Sequence, residues 1–185
     1  MNKTALAHRE LGAKRFRETF GPCYEDFKIG DVFEHRPGRT ITDEHRPGNT
    51  IKDVDNILVT LLTMNIQPVF LDEAYATSTE WKKRLIDSTL TVALLTAMSA
   101  RTVGANVVAN LGWDKVKATH SAFVGDTLYA ESTVLSKPES VSQPTQGIVT
   151  VSTRGLNQDG KEVMNFERSR LIYKRRHSPE AAAEN

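Results

Sequence analysis

The chain has 185 residues, of which 39% are hydrophobic and 25% charged, with a net charge of +1. That length suits one domain with a real core, and that balance argues against bulk nucleic-acid binding, which calls for a strong basic excess. Cys23 is the only cysteine, so neither an internal disulfide nor a thiolate metal site is expected.

The segment 1–23 is basic, with Lys3, Arg9, Lys14, Arg15 and Arg17, and lacks the apolar stretch of a secretory signal. It reads as an N-terminal helical arm on a cytoplasmic protein, with a mitochondrial location left open. No apolar stretch approaches the ~20 residues that span a bilayer, so no membrane partner is expected.

From Phe27 to Thr40 an opening turn at Lys28–Asp31 leads into a strand that Pro37-Gly38 bends or ends. Glu34-His-Arg-Pro-Gly-Arg-Thr-Ile-Thr-Asp43 is then followed at once by Glu44-His-Arg-Pro-Gly-Asn-Thr-Ile-Lys-Asp53. Two copies are too few for a solenoid, and a local duplication that lengthens one loop is the better reading. His35 and His45 are both expected on solvated loop.

Val54, Ile57, Leu58, Leu61 and Leu62 recur at helical spacing, with Asp53 as a cap. Pro68 interrupts the pattern, and Asp72 caps a short second helix over 73–76. Asp87 or Ser88 caps a third helix over 89–101, rich in Leu, Ala, Val and Met and expected to be largely buried. Four strands follow: Asn106–Trp113, Thr127–Leu135, Gly147–Asn157 and Glu162–Tyr173, the last two joined by the turn signal Asn157-Gln-Asp-Gly160. The final residues, 177–185, read as a disordered tail. The expected architecture is α+β, an antiparallel sheet with its helices on one face.

Several segments between Tyr24 and Arg175 resemble the MaoC-like (R)-specific enoyl-CoA hydratases. They are Tyr24-Glu-Asp-Phe-Lys-Ile-Gly-Asp31, Phe123-Val-Gly-Asp-Thr-Leu128 and Asn65-Ile-Gln-Pro-Val-Phe-Leu-Asp-Glu-Ala-Tyr-Ala76. The last is similar to the family's Gly-Asp-x-Asn-Pro-x-His-x-Asp-x-x-Tyr-Ala segment. Ala109-Asn-Leu-Gly-Trp113 and Gly155-Leu-Asn-Gln-Asp-Gly160 look like the mesaconyl-CoA hydratase branch. The resemblance implies a single hot-dog domain over 24–176, its sheet wrapped around a central helix. It also implies a homodimer or higher homo-oligomer, an acyl-CoA ligand, no cofactor and no metal.

The implied reaction is reversible addition of water across the double bond of a 2-enoyl-CoA. An Asp and a His handle the water and the proton, while N–H groups at the start of the central helix polarise the thioester carbonyl. The family Asp falls here on Asn65 and the family His on Phe70; the family Asn falls on Gln67. Asn cannot take a proton from water at neutral pH, and Phe has no polar side-chain atom. Ser88 is the expected oxyanion donor. Three explanations stand. The domain has lost catalysis and kept binding or assembly; it uses relocated groups such as Asp72, Asp87 or His45; or the match is displaced around Pro68. Each residue also has a plainer role: Asp72 and Asp87 as helix caps, Asn65 as a helix end, Phe70 as core filling. Lys82, Lys83 and Arg84, with Lys174–His177, are candidates for CoA phosphates, with solvated charge as the plainer reading.

Overall fold

The computed structural model describes residues 8–12, 15–18, 21–42 and 50–182, with side chains described over 21–36, 53–100 and 102–182. The N-terminal segment departs from the expected helical arm. Strands β1 (His8–Gly12) and β2 (Arg15–Glu18) pair antiparallel, with a register irregularity between Glu10 and Gly12. Gly12 is a poor helix residue, and the alternation Arg15-Phe16-Arg17 has the period of a strand rather than of a helix.

Strand β3 (Val32–Thr42) continues through Pro37-Gly38, its pairing slipping between His35 and Arg39 where that pair is inserted. The short strand β4 (Thr50–Lys52) lies parallel to it, with Thr40 opposite Thr50, Ile41 opposite Ile51 and Thr42 opposite Lys52. Equivalent positions of the duplicated decapeptide therefore face one another. Three positions of the first copy thus pair with the same three of the second.

Helix α1 (Asp53–Leu62) is followed by the short helices α2 (Pro68–Leu71) and α3 (Glu73–Ser78), and then by the central helix α4 (Ser88–Val103). Strands β5 (Val107–Ala118), β6 (Thr127–Ser136), β7 (Gln146–Leu156) and β8 (Glu162–Tyr173) complete a six-stranded sheet ordered β4-β3-β6-β7-β8-β5. Every pair except β3–β4 is antiparallel.

Helix α4 lies on one face of this sheet, giving the expected α+β hot-dog arrangement. Leu90, Leu95 and Met98 pack with Leu128 and Ala130 of β6 and with Val163, Met164 and Phe166 of β8. Gly155 in β7 permits that approach, because a Cβ there would stand 2.5 Å from a Leu95 methyl. A second cluster, around Tyr24, Phe27, Val103, Val134, Val149, Val151 and Ile172, closes the other end. The helix is less enclosed than its composition suggests: Ala93, Ala97 and Ala100, at helical spacing, remain exposed.

The chain end also differs from expectation. Beyond Tyr173 it forms a 3-10 turn at Arg175–His177 and helix α5 (Pro179–Ala182). Ser178 is buried; its hydroxyl donates to Arg175 O and accepts from Ala181 N–H. A serine able to cap both neighbours ties down a segment that composition alone marks as tail.

Candidate active site

The start of α4 is held by a compact polar network. Asp87, fully buried, is its N-cap: Oδ1 accepts from both the N–H and the hydroxyl of Thr89, each at 2.7 Å. Asn65 lies just beyond α1, after Met64 has reversed the chain through a left-handed conformation (φ 59°). Its amide donates to Asp87 Oδ2 at 2.7 Å. Burial pushes the Asp87 carboxyl up, but hydrogen bonds from Thr89, Asn65 and the Leu90 N–H outweigh it. The group is held below the usual carboxylate range and stays anionic.

Asn56, fully buried on α1, ties this corner together. Its Oδ1 accepts from Asp87 N–H at 2.9 Å, and its Nδ2 donates to Leu85 O at 3.1 Å and Phe70 O at 3.4 Å. One side chain thus clamps α1, α2 and the lead-in to α4. Sequence reasoning passed over it because its partners lie 14 to 31 positions away.

The structure brings Asn65 and Asp87 together, as relocated-group chemistry needs, but not every candidate joins them. Asp72 is exposed and caps α3, its Oδ1 accepting from Tyr75 N–H at 3.0 Å. Gln67 is exposed at the start of α2, and Phe70 is half-buried within that helix. Ser88 is exposed as the first residue of α4, next to the Asp87 carboxylate. Thr89 N–H and Leu90 N–H are engaged by Asp87. His45 lies outside the described residues.

His35 is the clearest departure. It is buried on β3 rather than on a solvated loop, with Nδ1 bonded to the Thr102 hydroxyl and Nε2 to the Ser132 hydroxyl. It sits beneath the C-terminal half of α4, away from Asp87, so it is no acid–base group for that corner. Burial, then the charges of Arg170 and Arg168, lower its pKa to about 4. Both arginines are themselves buried on β8.

The comparisons fit this geometry. The sequence model of mesaconyl-CoA hydratase matches residues 8–184. The chain belongs to the mesaconyl-CoA hydratase family. It is 29% identical to the mesaconyl-CoA hydratase of Cereibacter sphaeroides over 84% of this chain and 42% of that protein. A solved MaoC domain dehydratase from Chloroflexus aurantiacus superposes with a TM-score of 0.75 at 27% identity, covering 89% of this chain and 43% of that one. A Mycobacterium tuberculosis protein with a double hotdog fold gives 0.69 at 20% identity, covering 83% of this chain and 44% of that one. The last likeness concerns the fold alone. The chain spans less than half the length of these three proteins.

Proposed function

We propose that this chain is an acyl-CoA hydratase or dehydratase unit that adds or removes water at the double bond of a 2-enoyl-CoA. The substrate class that best suits its family is a branched or dicarboxylic acyl group. The observation that carries this reading is the open start of α4. There the exposed Ser88 lies directly beside the hydrogen-bonded Asp87–Asn65 pair. A thioester oxygen placed there meets a backbone donor and the positive end of a sixteen-residue helix, which favour the negative charge that develops on it.

The water-handling step then falls to groups other than the family pair. Asn65 orients water without deprotonating it, and Asp87 is the carboxylate nearest to hand. His45, on the second copy of the decapeptide, is the other candidate. A second reading is favoured by one specific fact: Asp87 already accepts from Asn65 and Thr89, and those bonds lower its basicity. In that reading the domain binds acyl-CoA without turning it over and serves a partner subunit.

Loss of enoyl absorbance with crotonyl-CoA and mesaconyl-CoA separates the two. Turnover by wild type that falls at least about a hundredfold in Asp87→Ala or His45→Ala, with folding intact, identifies the acid–base group. No turnover on either substrate, with CoA-ester binding retained, leaves the silent subunit.

A further inference from the structure

Strand β8 turns two arginines toward α4. Arg168 and Arg170, two positions apart and so on one face of the strand, are 3% and 1% exposed. Arg168 Nη2 donates to the Ser99 hydroxyl and Arg170 Nη1 to Val103 O, both at 2.5 Å. Ser99 and Val103 stand about one helical turn apart, so the two guanidiniums follow one another along the end of α4. Arg168 Nε, Arg170 Nε and Arg170 Nη2 remain buried and unpartnered among the described residues. On Arg170 those two atoms make up one edge of the guanidinium. Their parallel N–H groups match the two oxygens of a carboxylate.

No carboxylate among the described residues offsets the pair. What acts on them is burial and, on Arg170, the charge of Arg168. Their ladder partners are Val151 and Val149 on β7 and Trp113 and Asn110 on β5, all uncharged. Glu167, next to them on β8, lies on the opposite face and pairs with Lys115. His35, the third titratable group facing them, stays neutral. Like charges buried side by side are costly unless an anion joins them, and a buried N–H without a partner calls for one.

We propose that Arg168 and Arg170 bind a small planar oxyanion, a short carboxylate or bicarbonate, bidentate on the Nε–Nη2 edge of Arg170 with Arg168 Nε as a third donor. The site is separate from the corner at Asp87. Ser99 and Val103 lie roughly 16 and 22 Å along α4 from Ser88, farther than a short acyl group with its thioester at Ser88 extends. The ligand is therefore a second molecule, and the inference does not depend on how the Asp87 corner is read.

The test is thermal unfolding of the whole chain at pH 7 in sodium formate, acetate or bicarbonate, against sodium chloride at equal ionic strength. Wild type is expected to show a saturable rise in Tm of about 4 °C once an oxyanion reaches ten times its Kd. Formate and acetate acting more strongly than bicarbonate assign the site to a carboxylic acid; the reverse order assigns it to carbonate. Arg170→Lys keeps the charge and loses the fork, and is expected to bind at least about tenfold more weakly. Arg168→Met, which removes one donor and one charge, should bind about fivefold more weakly. Each variant is compared with its own chloride baseline, so altered fold stability does not pass for lost binding. Saturation transfer from the protein to the formate proton, present in wild type and lost in Arg170→Lys, reads the same site in the folded state. A rise that is linear in salt and equal in all three proteins would overturn the proposal. So would a wild type that responds to none of the oxyanions more than to chloride.

Discussion

His35 shows how one residue can set a pH limit. The Thr102 hydroxyl also donates to Ser99 O, so the ring donates from Nδ1 and accepts at Nε2 from Ser132. Both nitrogens are satisfied by a neutral imidazole. A proton added there would sit in a buried site facing Arg168 and Arg170. The unfolded chain takes up that proton near pH 6.5, whereas the folded one resists until about pH 4. Between those values the unfolded state binds more protons, so stability falls as pH drops through the window, by roughly 3 kcal/mol in all. Asp87, whose carboxyl is lowered from 3.8, loses its contribution only below that window. Urea unfolding from pH 7 to 4 is expected to show this loss in wild type and not in His35→Gln. Equal slopes in both proteins would rule the histidine out.

At the scale of elements, β8 presents the same problem from the other side. Its inward positions run Met164, Phe166, Arg168, Arg170, Ile172, two guanidiniums in an otherwise apolar row. Arg168 donates to the Ser99 hydroxyl and Arg170 to Val103 O at the end of α4. Arg168 Nε, Arg170 Nε and Arg170 Nη2 are buried without a hydrogen-bond partner among the described residues. Desolvation lowers both, to about 10 and about 9. Arg170 at least serves the negative end of a helix; among the described residues Arg168 donates only to a serine hydroxyl. Arg168→Met is therefore expected to stabilise the fold by about 1 kcal/mol, read from the guanidinium chloride midpoint. It should also move the His35 window to higher pH, and a destabilised variant would count against this account.

Much of this architecture is legible in the sequence. Period-two alternation marks β6, β7 and β8, and the Asp87 cap marks the start of α4. Asn65 and Asp87 were each singled out from the sequence, but the bond between them, across 22 positions, was not. What stayed hidden depends on tertiary context. Alternation alone puts His35 on the same side of β3 as Phe33, yet Pro37-Gly38 beside it argues for a loop. The apolar spacing of α1 identifies a helix but not its orientation: Asn56 and Thr60 turn inward, while Val54, Leu58, Leu61 and Leu62 stay exposed.

Those outward apolar faces belong to the whole molecule. Strand β5 is one of the two edges of the sheet and exposes Val108, Leu111, Trp113 and Val116, with Leu111 52% exposed. Its pairing with β8 is irregular at three points, and Lys115 adopts a left-handed conformation. Such bulges and charges discourage open-ended strand addition without hiding the apolar side chains. Trp113 reaches across to Thr96 of α4 at 3.4 Å, so the edge continues into the exposed Ala93, Ala97 and Ala100. Exposed apolar side chains gathered along one edge in this way are suited to an interface. A second copy of the chain is the simplest cover here, since an isologous contact closes on itself. Sedimentation is expected to give wild type at twice the chain mass. Leu111→Asp, which places a charge at the centre of that face, should shift the equilibrium at least tenfold toward a folded monomer. A wild type that sediments as a monomer at all concentrations would dispose of the self-pairing. The Asp87 corner can be read in the same samples, because acyl-CoA binding that survives in the monomeric variant places the whole ligand site within one chain.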